Sequence, residues 1–112
     1  METKNVLIAL SALAQDSRLA VFRLLVQAGP QGLAATKIAE TLGLAPSSLS
    51  FHLRELTYAN LIKQTREGRS LIYSANFETM NGVLGFLTDN CCGGNSCTPV
   101  CLPQCTNEGE SS

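Results

Sequence analysis

No run of about 18 consecutive apolar residues occurs in the chain, so nothing in it reads as a transmembrane helix. No cysteine occurs before Cys91; all five lie between Cys91 and Cys105, which excludes a framework of disulfides tying distant parts of a fold together. There is a single histidine, His52, far from those cysteines, so a metal site among them must be built from sulfur alone. No histidine and no carboxylate other than Asp89 lies close to the thiols to activate a nucleophile, which argues against an enzyme. Lysine and arginine are absent from residues 77–112, which carry Glu78, Asp89, Glu108 and Glu110. With an overall net charge of −1 the protein is no bulk polycation. No internal repeat is visible.

What is present centres on Leu33–Leu56, LAATKIAETLGLAPSSLSFHLREL. The spacing predicts a short helix over about Ala35–Leu42, ended by Gly43, which accepts positive φ, and a second helix opened by Pro46 at its first position. Leu49, Leu53 and Leu56 form one inward stripe of that second helix. At 100° per residue the opposite face carries Ser47, Phe51 and Arg54, flanked by Ser48 and Ser50. Hydroxyls and unpaired N–H groups at a helix start can take phosphates or base edges, and a phenyl ring can lie on a thymine methyl. This is a helix-turn-helix with a major-groove reading helix. His52 borders the stripe, which suits packing or a phosphate contact better than a metal. Ser50 is as much positional as base-reading.

Two runs rich in Ile, Thr and Tyr follow around Glu67-Gly68-Arg69, a β-hairpin that carries Lys63, Arg66 and Arg69 where a wing would press on the DNA backbone or minor groove. Residues 46–73 hold four cationic against two anionic side chains, a local +2 on a mildly acidic protein. Few phosphate contacts suit a regulator that must release double-stranded DNA. Arg54 and Arg69 are expected on the backbone.

The 112 residues fit one domain, short for a large core of its own. Lys4, Val6–Leu10 and Ser11-Ala12-Leu13-Ala14 imitate a secretory signal, but Glu2 cancels the lysine and the apolar run is short. Read instead as a helix from Thr3 to Ala14, the segment is apolar nearly all round, as a helix buried between subunits should be. A cytoplasmic protein is expected. Asp16 is placed as N-cap of a second helix over Ser17–Gln27, with Leu19, Phe22 and Val26, thickened by Leu24 and Leu25, as core. A last helix is expected from Phe77 to about Asp89, its stripe Met80, Val83, Leu84 and Leu87, with Gly82 and Gly85 admitting another helix. Paired with the first helix it would build a homodimer. Residues 1–90 are the expected DNA-binding and dimerisation domain, and 91–112 a cysteine-bearing inducer-binding tail.

Soft thiolates bunched among glycines and prolines suit a soft ion. Adjacent Cys91 and Cys92 fit poorly at two corners of a tetrahedral structural zinc site. They can serve a pyramidal three-coordinate ion such as arsenite or antimonite, with Cys97 folding back over Gly93-Gly94. Thiol-based redox sensing, a zinc or cadmium site using four thiols, and a merely reactive tail stay open.

The set Leu49-Ser50-Phe51-His52-Leu53-Arg54-Glu55-Leu56, Leu61-Ile62, Arg66-Glu67-Gly68-Arg69 and Tyr73 resembles the ArsR/SmtB family of metalloregulatory repressors, as does Asp16-Ser17-Arg18-Leu19. The resemblance covers roughly residues 3–90. It implies a mainly α, dimeric winged helix-turn-helix with a small β-hairpin and dimerisation helices at both ends. It also implies release from a palindromic operator by an inducer. The family's Cys-Val-Cys pair is Ala34 and Thr36 here, its histidine sites on the last helix are absent, and its usual glycine is Asn60. The tail after Leu87 resembles members that sense trivalent arsenic with two adjacent cysteines and a later one. That implies Cys91, Cys92 and Cys97 as ligands, ahead of Cys101 and Cys105, for As(III) and by extension Sb(III) or methylated As(III).

Overall fold

The computed structural model describes residues 1–89. Five helices and a three-stranded sheet follow in the order α1 (Thr3–Leu13), α2 (Asp16–Ala28), β1 (Leu33–Ala34), α3 (Ala35–Leu42), α4 (Pro46–Tyr58), β2 (Ile62–Glu67), β3 (Ser70–Ala75) and α5 (Phe77–Leu87). Helix-turn-helix, hairpin and closing helix stand where the sequence pattern places them. Gly43 ends α3 in the left-handed region at φ 65°, and Pro46 opens α4. Asn60, at φ 64°, makes the left-handed turn after α4 that a glycine makes in the resembling pattern.

The core gathers where these elements converge. Leu49, Leu53 and Leu56 of α4 meet Val21, Phe22 and Leu25 of α2, Ile38 of α3 and Leu61-Ile62 at the start of the hairpin. Asn76 fastens the end of the sheet to what precedes it. Its N–H donates to the Leu61 carbonyl at 2.8 Å and its Nδ2 to the Asn60 carbonyl at 3.1 Å, while its Oδ1 accepts from the Thr79 N–H at 3.3 Å and so caps α5. Each polar group of this buried side chain has a partner, as burial demands.

Two expectations about α2 need correcting. Gln15, not Asp16, caps α2: it sits in extended backbone and its side chain accepts from the Arg18 N–H at 2.9 Å. Asp16 lies in the first turn instead, where its charge favours the helix dipole. Leu19 is 43% exposed rather than core. The inward face of α2 is centred on Val21, Phe22 and Leu25, and at 100° per residue Leu19 lies roughly 110° away from it. On α1 the inward face is Val6, Ala9 and Ala12, so Leu7 and Leu10 look outward. On α5 only Val83 of the expected stripe is buried, and Leu87 is 57% exposed. Gly82 abuts Met1, whereas Gly85 faces open space among the described residues.

One strand has no counterpart in the sequence reading. The two-residue β1 pairs antiparallel with β3, Leu33 opposite Tyr73, giving sheet order β1-β3-β2. Gly32 makes the approach possible at φ 68°, because a Cβ there would collide with the Tyr73 carbonyl. No helix among the described residues is long and apolar enough to cross a membrane.

Candidate nucleic-acid interface

The first turn of α4 is open. Ala45, its N-cap, has no side chain able to accept from the helix, and Pro46 has no N–H to satisfy. The Ser47 and Ser48 N–H groups therefore point outward without an intrahelical partner, and with both hydroxyls exposed they form a small anion-accepting end. Ser50, Phe51 and Arg54 continue the exposed surface, while Leu49, Leu53 and Leu56 face inward. Phe51 is 47% exposed, an aromatic ring offered outward by a helix whose leucines are covered.

His52 stands apart from the other predicted contacts. It is only 9% exposed, and its Nδ1 accepts from the Arg18 Nε–H at 3.4 Å, so it belongs with the core-facing set. The Phe51 and His52 rings meet edge to face, 5.7 Å between centroids at 61°.

The wing presents Lys63, Arg66 and Arg69, all exposed, but not on one face. Residues alternate across a strand, and the register sets Ile62, Gln64 and Arg66 opposite Ala75, Tyr73 and Leu71. That face looks toward α4: Gln64 Nε2 donates to the Tyr73 hydroxyl at 2.8 Å, and a cleft of about 480 Å³ there is lined by Ser50, Arg54, Thr57, Tyr58 and Gln64. Lys63 projects from the opposite face, and Arg69 sits in the two-residue turn after Gly68. The structure thus brings Arg66 to the same side as α4 and separates Lys63 from it.

Two residues were missed by sequence reasoning. Tyr58, in the last turn of α4, is 80% exposed at the cleft between helix and wing. Its signal was a large aromatic continuing past the last leucine of the stripe. Arg18, in the first turns of α2, lies against the inner side of the reading helix. Its signal was a cation set directly against the apolar run Leu19–Phe22.

Cys91, Cys92, Cys97, Cys101 and Cys105 lie outside the described residues. Among the described residues no group of three His, Cys, Asp or Glu side chains could hold a metal. Helix α5 ends just before the cysteines, with the Thr88 N–H and hydroxyl both donating to the Leu84 carbonyl, at 3.1 and 2.9 Å.

Helices α1, α2 and α5 border an open apolar groove. Leu10, Leu13, Leu19, Val26, Leu84 and Leu87 line its walls, and Arg23 and Gln27 stand at its edge. It holds about 460 Å³.

A family model described as a helix-turn-helix domain matches residues 13–65, from the end of α1 into β2. The nodulation protein NolR of Rhizobium meliloti is 34% identical over 80 residues, covering 71% of this chain; the chain spans 63% of that relative's length. The crystal structure of NolR from Sinorhizobium fredii superposes with a TM-score of 0.62 at 30% identity, over 76% of this chain and 82% of that one. A fragment of Mb0332 from Mycobacterium bovis, described as a homodimeric winged helix-turn-helix DNA-binding domain of a possible ArsR-family regulator, gives a TM-score of 0.62 at 26% identity. It covers 78% of this chain and 81% of that one.

Proposed function

The chain belongs to the ArsR family of winged helix-turn-helix transcriptional regulators, not to an enzyme family, and on that premise we propose that it is a homodimeric repressor released from a palindromic operator by trivalent arsenic. The carrying observation is the outward face of α4, where an uncapped first turn, three serine hydroxyls, Phe51 and Arg54 are exposed together. In this reading the two α4 helices of a dimer enter successive major grooves about one helical turn apart. Arg54, Arg66 and Arg69 hold the phosphate backbone, and Ser47, Ser48 and Phe51 meet phosphates and base edges.

The groove between α1, α2 and α5 supports the dimer, because it leaves large apolar side chains exposed on the two terminal helices. The Mycobacterium bovis relative, described as homodimeric, supports it too. The chemistry of the thiols supports the inducer: three of them can exchange for the three hydroxyls of arsenous acid, releasing three waters and leaving a pyramidal As–S3 centre. Cys91, Cys92 and Cys97 are the proposed ligands. Because α5 borders the groove and leads directly into Cys91, a bound arsenic would act on the dimer contact and thereby on the spacing of the two reading helices. The coupling is reciprocal, so operator DNA weakens arsenic binding by the same factor.

The test is operator binding by fluorescence anisotropy, with arsenite, antimonite, phenylarsine oxide, zinc, cadmium and peroxide titrated in parallel. Arsenite at low equivalents should release the DNA, and a variant with Cys91, Cys92 and Cys97 all changed to Ser should bind DNA and ignore arsenite. Full release of that variant refutes the assignment. Release by the phenyl arsenical alone reduces the site to two thiolates, and release by peroxide or zinc alone replaces the arsenic reading with a redox or zinc-sensing one.

A further inference from the structure

Arg18 is half-buried, and its guanidinium is committed on three sides. The Nε–H donates to His52 Nδ1 at 3.4 Å, and Nη1 donates to the Ala12 carbonyl in the last turn of α1 at 3.5 Å. The guanidinium carbon lies 5.7 Å from the centre of the Phe51 ring, within cation–π range. Its polar edge thus engages α1 and the inner side of α4, while its charge is turned to the ring that α4 presents outward. Two of its five N–H donors are thus spent inside the fold, one on α1 and one on the inner side of α4. A lysine could supply the charge but not the planar fork that meets these directions at once.

Phe51 needs such a constraint. At 47% exposure it is packed on one side only, and an exposed phenyl ring held by nothing else would sample several rotamers. The guanidinium and the His52 edge both lie against it. We propose that Arg18 is a positioning residue for DNA reading: it fixes the aim of the Phe51 ring at the C5-methyl of a thymine and ties the reading helix to α1. This inference rests on the operator reading above and assigns the specificity device within that site. Arg18 touches neither base nor phosphate; it acts through Phe51 and His52.

The experiment uses the full chain and a duplex that the wild-type protein selects from a random pool. Affinity is measured by anisotropy for wild type, Arg18→Met, Arg18→Lys, Phe51→Leu and the Arg18→Met/Phe51→Leu double variant. Each thymine is replaced in turn by uracil, which removes only the methyl. Wild type should prefer thymine to uracil at one position in each half-site. Arg18→Met should lose that preference and bind about three- to tenfold more weakly, and adding Phe51→Leu should cost little more, because contacting residues are not additive. The slope of log affinity against log salt should stay that of wild type, since every phosphate partner is kept. Arg18→Lys, which keeps charge and stem, should also lose the thymine preference and covers the case in which the methionine variant does not fold. Additive effects, an intact thymine preference in either Arg18 variant, or a salt slope reduced by about one each overturn the proposal. A wild-type protein that selects a duplex but reads no methyl also overturns it. One that selects no duplex at all refutes the operator reading itself, and the inference falls with it.

Discussion

Changing Leu87 to lysine separates the fold of one chain from its assembly. Leu87 ends α5, is 57% exposed, and lines the groove bordered by α1 and α2. Within one chain little depends on it, and a cation in the last turn of a helix favours the dipole, so the melting temperature of the isolated protomer should change by no more than a degree or two. In a two-fold dimer the same substitution is felt twice. Full burial of a leucine stabilises by about 1.5–3 kcal/mol, so the exposed half of Leu87 contributes about 1 kcal/mol per protomer, or about 2 kcal/mol per dimer. Two ammonium groups held in an apolar contact add at least another 1–2 kcal/mol of desolvation and repulsion, softened by snorkelling of their stems. The total of about 3–4 kcal/mol corresponds to a dimer dissociation constant raised roughly 10²–10³-fold. Sedimentation equilibrium across a dilution series measures it directly, and operator affinity should fall in parallel as the two reading helices lose their linkage. A variant that dimerises as wild type does would refute placing the interface on this groove, whatever it did to DNA binding.

Gly32→Ala should destabilise the fold by about 2–4 kcal/mol, read as a lower urea midpoint at unchanged slope, since its φ of 68° is strained for alanine and the new methyl meets the Tyr73 carbonyl. A loss below about 0.5 kcal/mol would mean that β1 is dispensable. On the wing, Arg66→Ala should lower the salt slope of operator binding by about one, whereas Lys63→Ala, on the opposite face of β2, should leave it within error. Equal effects from the two would show that the wing does not approach DNA by the face it shares with α4.

The helix-turn-helix was legible because local chemistry and global fold agree there. Gly43 is needed for its positive φ, Pro46 for its fixed φ at a helix start, and the leucine stripe of α4 faces one way only. Asn60 was readable for the same reason, its φ of 64° being what the turn after α4 demands. The reading weakened wherever the partner surface lies far along the chain. Two-residue β1 has no periodicity of its own; it exists because Gly32 lets the backbone reach β3 some 40 residues later. Leu19 read as core because hydrophobic spacing records that a face is covered, not whether the cover comes from the same chain. Arg18 escaped for a related reason. Its hydrogen-bond partner His52 is 34 positions away, and no helical period connects them.

The placement of charge and apolar surface bears on how such a protein lets go of DNA. The cations that can hold phosphate sit on α4 and the wing, while α5 and the residues after it carry none. Each phosphate the protein releases weakens binding by a modest, salt-dependent factor, so a complex held by few of them is poised for release. What remains is geometric: two reading helices must match two grooves at once. On this reading the groove sets that match, because α1, α2 and α5 border it and α1 and α2 reach α4 through the Ala12 carbonyl and Arg18. A ligand bound just beyond α5 then needs no path to the DNA face. It needs only to favour a dimer geometry in which both α4 helices cannot seat together, and a differential affinity of about 1–3 kcal/mol between the two geometries accounts for a roughly 5- to 150-fold release.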